Sequence, residues 1–230
     1  MTFACYTAAR LLAEIYLMRH GRTALDVARR SDGWLDMPLS EEGQLSILPA
    51  QQRLKTVPLK TIYTPDLKRT RETAHLVASG TLSKPEVEEA DDSKTWNLGV
   101  LAGTKKRYGR PAVKRLVANP DSAPPGGESY NDFHARFLPW FEKVSKGAGP
   151  ILIVCSGSNL RCLGKELFDN EDSLDLDEGG LACLNRKNGA WHAHVICGSK
   201  QARVDTGVAK DDAMDGGKAA IDDVFDRGMT

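Results

Sequence analysis

The chain has 230 residues, 41% hydrophobic and 27% charged, with 31 Lys plus Arg against 31 Asp plus Glu. That length accommodates one α/β domain with or without tails, and the even charge balance excludes a global field directed at nucleic acid or an anionic membrane. The five cysteines (Cys5, Cys155, Cys162, Cys183, Cys197) lack paired metal-ligand spacing, so a reducing, cytoplasmic setting is expected, with no metal and no cofactor.

Residues 1–14 include Phe3, Ala4, Leu11 and Leu12, but no basic segment precedes them and Arg10 interrupts them. They read as a leader before the first strand rather than a signal peptide, and no stretch is long enough to cross a bilayer. Ile15-Tyr16-Leu17-Met18-Arg19-His20-Gly21-Arg22-Thr23 is a β-prone apolar run ending in an arginine, a histidine and a glycine. In open α/β sheets ligands bind at such carboxyl ends of strands. A guanidinium fork matches phosphate oxygens, a neutral imidazole can attack phosphorus, and a glycine lets backbone approach a ligand. The plain alternative is a hydrogen-bonded structural histidine at a strand end.

Ala24 to Arg30 reads as a short helical or turn segment, followed by a loop, Gly33-Trp34-Leu35-Asp36-Met37-Pro38-Leu39. Ser40 with Glu41 and Glu42 behind it predicts a helix start, running to about Lys55. Thr61–Thr64 is a second strand, and Asp66 is a candidate cap for a helix through Leu67, Thr70, Ala74 and Val77. This repeated strand–turn–helix order predicts a parallel sheet. Val87 marks a possible short strand, Trp96 to Gly103 a loop, and Pro111 to Ala118 a basic helix. Ser129 leads a helix to about Lys146 whose Phe133, Phe137, Trp140, Phe141 and Val144 fall on one face, as core residues do. Ile151–Val154 is the strongest buried strand, with a helix from about Leu160. Leu181–Asn185 and Trp191–Val195 flank an Asn-Gly turn, the mark of a hairpin. Residues 199–230 are small, polar and charged, and read as a mobile tail beyond a domain at 15–198.

Several of these segments together resemble the histidine phosphatase superfamily, which includes the cofactor-dependent phosphoglycerate mutases. They are Arg19-His20-Gly21, then Gly33-Trp34-Leu35-Asp36-Met37-Pro38-Leu39-Ser40, then Thr64-Pro65-Asp66-Leu67-Lys68-Arg69-Thr70-Arg71-Glu72-Thr73-Ala74. Gly99 and Gly103 look like the family's Gly-x-x-x-Gly loop, and Gly127-Glu128-Ser129 like its Gly-Glu-Ser helix start. Short motifs agreeing in order over Ile15 to Val195 are far more specific than any one. The resemblance implies a three-layer α/β/α sandwich around a mostly parallel sheet, and a metal-independent phosphomonoester hydrolase working through a phosphohistidine. It assigns His20 to attack and Arg19 and Arg69 to clamping the phosphoryl group. Gly21, Arg22, Thr23, Ser156 and Gly157 become substrate-binding candidates.

Three positions depart from the family pattern. Ser156 stands where a second histidine is usual, Thr95 where the acidic Glu is usual, and Asp26 where Asn is common. Glu88, Glu89, Asp91, Asp92 and Glu128 are candidate substitutes for the acid, while Arg22, Lys105, Lys106, Arg107 and Arg110 could line a pocket mouth. His192 and His194 are expected at the surface or in the core. Turnover is therefore expected to be slow, and a phosphate-binding module without turnover is the alternative. A rival phosphatase reading uses Cys155, since Cys155 and Arg161 frame a Cys-x5-Arg loop after a buried strand. A mutase ranks lower. The expected partner is a small phosphorylated substrate or a phosphoprotein; the natural substrate and oligomeric state are not legible.

Overall fold

Six strands form one sheet in the order β3-β2-β4-β1-β5-β6: β1 (Ile15–Arg19), β2 (Thr61–Thr64), β3 (Glu86–Glu89), β4 (Ile151–Cys155), β5 (Leu176–Lys187) and β6 (Ala190–Ser199). The structure, a computed structural model, describes residues 14–147 and 149–199. The expected leader (residues 1–14) and tail (residues 199–230) lie outside the described residues except for Glu14 and Ser199, the last residue of β6. The first four strands in the order are mutually parallel, and β5 runs antiparallel to both β1 and β6. Arg19, the last residue of β1, pairs with Cys155, the last of β4, so both strands end at one edge. That edge carries the site.

Alternation along the strands divides the core in two. Ile15 and Leu17 of β1, with Ile151 and Ile153 of β4, face α4 (Lys106–Ala118), α5 (Tyr130–Ser145) and α6 (Gly157–Phe168). Tyr16 and Met18, with Leu152 and Val154, face α2 (Glu41–Leu54) and α3 (Lys68–Gly80). A strand buried on both faces needs apolar residues at consecutive positions, which is why both central strands read as unbroken apolar runs. The result is the expected three-layer sandwich. Phe133, Phe137 and Phe141 of α5 are fully buried as their spacing predicts, each worth about 1.5–3 kcal/mol in burial.

The local signals act as read in most places. Ser40 Oγ accepts from the Gly43 amide at 3.0 Å to start α2, and Ser129 and Asp132 form a capping box on α5. The hairpin turns at Asn188 and Gly189, both with positive φ. Elsewhere the boundaries move. Asp66 does not cap α3; it pairs with Lys94 at 2.8 Å, and Asp36 Oδ1 from the preceding loop accepts from the Lys68 amide at 2.6 Å. α4 begins at Lys106 and carries Pro111 inside it, and α6 begins at Gly157 rather than near Leu160. β5 starts at Leu176 and shifts register between Leu176 and Leu181, a bulge that turns the Asp177–Gly180 segment toward the end of β1. No helix among the described residues is long and apolar enough to cross a membrane.

Candidate active site

His20 continues the ladder one residue past β1, its amide donating to Cys155 O at 3.0 Å. Its ring Nδ1 lies 2.8 Å from Gly21 O. A carbonyl only accepts, so Nδ1 carries the proton and the lone pair is left on Nε2. Burial, with Arg69 and Arg19 alongside, outweighs the opposing pull of Asp26 and lowers the imidazole to about 3. At neutral pH His20 is therefore an uncharged base with its reactive nitrogen fixed in direction.

Arg69, on α3, covers that nitrogen. Its Nε donates to His20 Nε2 at 3.3 Å, while Nη1 and Nη2 donate to Leu35 O and Gly33 O at 2.8 and 2.7 Å. The Gly-Trp-Leu loop thus serves to hold a wholly buried guanidinium against the histidine. Arg19 donates from Nη1 to Leu176 O at 2.9 Å and pairs through Nη2 with Glu178 Oε1 at 2.5 Å. Its Nε is buried and has no partner. Ser156, at the end of β4, also buries a hydroxyl with no partner. Arg161, one turn into α6, brings its guanidinium nitrogens within 3.8–3.9 Å of where a Cβ on Gly157 would stand, and Arg19 Cζ comes within 3.8 Å of the same point. Two unsatisfied buried donors and two converging guanidiniums beside a helix N-terminus make an anion cradle.

Carboxylates crowd the same space. Asp26 pairs with Lys106 at 2.8 Å and reaches Arg19 at 3.8 Å. Burial works against its charge, but His20 in its protonated form, Lys106 and Arg19 outweigh it and hold the carboxyl at about 2. Glu178, in the β5 bulge, also lies 3.7 Å from Arg22 and 4.0 Å from Lys106. Asp32 accepts from Thr23 Oγ1 at 2.7 Å, and burial together with neighbouring Asp26 raises its carboxyl.

A family model for the histidine phosphatase superfamily (branch 1) matches residues 15–197. The chain belongs to the histidine phosphatase superfamily. A "2,3-bisphosphoglycerate-dependent phosphoglycerate mutase 2" from Gloeobacter violaceus is 28% identical over 167 residues, covering 68% of this chain and 76% of that protein. A "Metal-independent phosphoserine phosphatase" from Arabidopsis thaliana is 30% identical over 189 residues, covering 78% and 79%. Among solved structures, YhfR of Bacillus stearothermophilus superposes with a TM-score of 0.66 at 27% identity, covering 80% of this chain and 96% of that one.

In this member of the superfamily the structure brings together His20, Arg19, Arg69, Arg22, Ser156 and Gly157, and gives two of the candidate binding residues contacts within the fold. The Gly21 amide donates to Thr73 Oγ1, and a Cβ there would stand 2.5 Å from Gly43 O, so its close approach is to α2. Thr23 is wholly buried, caps α1 (Ala24–Val27) and spends its hydroxyl on Asp32 and Asp26. The expected substitutes for the acid are otherwise engaged or exposed. Glu128 is bound by Arg136 and by the Asn97 amide, and Glu88, Glu89, Asp91 and Asp92 are exposed. Of the candidate mouth residues, Lys106 enters the site, while Arg110 adds positive charge near Arg161. His192 and His194 are exposed.

Cys155 faces inward, its thiol donating to Met18 O at 3.6 Å, and burial pushes it up to about 12. A thiol held protonated is a poor nucleophile, so the Cys-x5-Arg reading loses its physical basis. His20, Asp26 and Asp32 offer atoms within 4.8 Å of one another, a spacing compatible with a metal. All three side chains already have partners in Arg69, Lys106 and Thr23, and Arg19, Arg69 and Lys106 together oppose a divalent cation. Glu178, Asp32 and Arg161 are the site residues that the motifs left unassigned to the histidine centre.

Proposed function

We propose that this chain is a metal-independent phosphomonoester hydrolase that works through a phosphohistidine on His20. One observation carries the reading: Nδ1–H is fixed by Gly21 O while the Nε2 lone pair stays neutral beside two arginines. A substrate phosphoryl group would enter the cradle of Arg19 Nε, Ser156 Oγ and Arg161, taking over the hydrogen bond that Arg69 Nε makes to His20. The guanidiniums supply the positive charge that a metal supplies in other phosphatases, consistent with the activity named for the Arabidopsis relative. Water then resolves the phosphohistidine.

The alternative is a phospho-ligand-binding module without turnover. What favours it is the pair of carboxylates, Asp26 and Glu178, that already occupies Arg19 and Lys106. A mutase would have to hold a second phosphoryl group as well, and so remains third.

Phosphate release from an aryl phosphate without added metal separates these readings for the wild type, His20→Ala and Cys155→Ser. Activity lost with His20 and kept with Cys155→Ser is the expected result. A silent wild type whose melting temperature still rises with vanadate would replace the hydrolase with the binding module.

A further inference from the structure

The hydrolase reading leaves one gap: no acid stands at the position of Thr95 to protonate the leaving group. We propose that Asp32 is the proton donor to the leaving oxygen, a role carried by the loop before Trp34. This rests on the phosphohistidine reading above.

Elimination narrows the choice. Among the described residues, Asp26 is held ionised by Lys106 and Arg19, and Glu178 is tied to Arg19. Glu128 is spent on Arg136 and Asn97. Asp32 is the carboxyl near His20 with no ion pair, and Thr23 Oγ1–H holds one of its oxygens.

Its place suits the task. A carboxyl oxygen of Asp32 lies within 4.8 Å of a His20 ring nitrogen. Arg69, which sits on Nε2, is the chief positive charge acting on Asp32 and also donates to the carbonyl of its neighbour Gly33, so Asp32 stands on the Nε2 side of the ring. An in-line leaving oxygen lies about 5 Å from the attacking nitrogen at a near-attack separation of about 3.3 Å. A carboxyl on that side of the ring, at a similar distance from the nitrogen, is placed in the same shell as the leaving oxygen. The groups facing Asp32 are Asp26, which together with burial favours its protonated form, and Arg69 and Lys106, which oppose it.

In the first step the Nε2–P bond forms, the P–O bond to the alcohol breaks, and the Asp32 carboxyl proton passes to the departing oxygen. In the second, a water oxygen bonds to phosphorus, the N–P bond breaks, and the water's proton returns to the Asp32 carboxylate. Atoms and charge balance with substrate and water alone.

The test compares an alkyl phosphate with a nitrophenyl phosphate, whose leaving group needs no proton, in wild type, Asp32→Asn and Asp32→Glu. Asp32→Asn should lose ~10²–10⁴-fold in turnover on the alkyl ester and far less on the nitrophenyl ester. Asp32→Glu should recover part of the loss, and the fall of wild-type rate at high pH should vanish in Asp32→Asn. Equal losses on both esters, or none, overturn the proposal. For the wild type alone, a series of aryl and alkyl phosphates should give a shallow dependence on leaving-group pKa; a steep one overturns the proposal without any variant. Loss of this pattern while His20→Ala still abolishes nitrophenyl turnover removes Asp32 only. A nitrophenyl rate indifferent to His20 removes the hydrolase reading and the donor with it.

Discussion

The two central strands end side by side, yet their ends are built differently. At the end of β1 every polar atom of the His20 ring is engaged, Gly21 is wedged against α2, and Arg69 is held by three bonds. At the end of β4 a hydroxyl lacks a partner, Gly157 has nothing closer than 3.8 Å to a notional Cβ, and Cys155 points into the core. The first end is preorganised for one reaction geometry, and the second leaves room and free donors for an anion. Under the proposed hydrolysis, precision is needed where the attacking atom sits, and the receiving side tolerates looseness because phosphate oxygens accept from several directions.

The widest gap between the two ends should be in turnover. His20→Ala should drop hydrolysis by at least ~10³-fold, whereas Cys155→Ser should stay within about two-fold, both read by phosphate release. Stability should separate them next. Gly21→Ala forces a Cβ against Gly43 O and should cost about 1–3 kcal/mol in denaturant unfolding, while Gly157→Ala should fall within about 0.5 kcal/mol of wild type.

Protonation should follow the same division. A histidine lowered to about 3 in the fold and near 6.5 when unfolded contributes its full stability above pH 6.5 and loses it as pH falls toward 3. Melting temperature should therefore decline across that window, and His20→Asn should flatten the decline. The smallest effect tests the acid between the two ends. Glu178→Gln removes the charge held by Arg19 and Arg22 and should lower KM for a phosphate ester by roughly three- to ten-fold, in keeping with a partly exposed ion pair. An unchanged KM would mean that the carboxylate does not compete with substrate.

Sequence order carried the sheet because apolar runs that must be buried on both faces have few alternatives, and Ile15–Arg19 and Ile151–Cys155 sit where those runs predict. His20, Arg19 and Arg69 were legible because each lies in a motif tied to a strand end or a helix start. Glu178 was not, since a bulge in β5 decides which way that residue faces and bulges leave little trace in composition. Asp32 reads as an ordinary loop acid until Thr23 is found beneath it. At Gly21 a close backbone approach was legible, but not that α2 is one of the neighbours that approach.

The placement of β1 between β4 and β5 also fixes an order of assembly. Arg19 donates to Leu176 O, 157 residues further along, and the Cys155 thiol donates back across 137 residues to Met18 O. His20 and Arg19 precede these partners by well over a hundred residues and are among the last groups to acquire their surroundings. Such distant pairings place folding toward the slow, millisecond-to-second end of the range for small domains. During refolding, helix signal should return before phosphate-ester turnover, and a nascent chain halted short of Leu176 should carry His20, Arg69 and β4 without the β5 partners, Leu176 and Glu178, that hold Arg19.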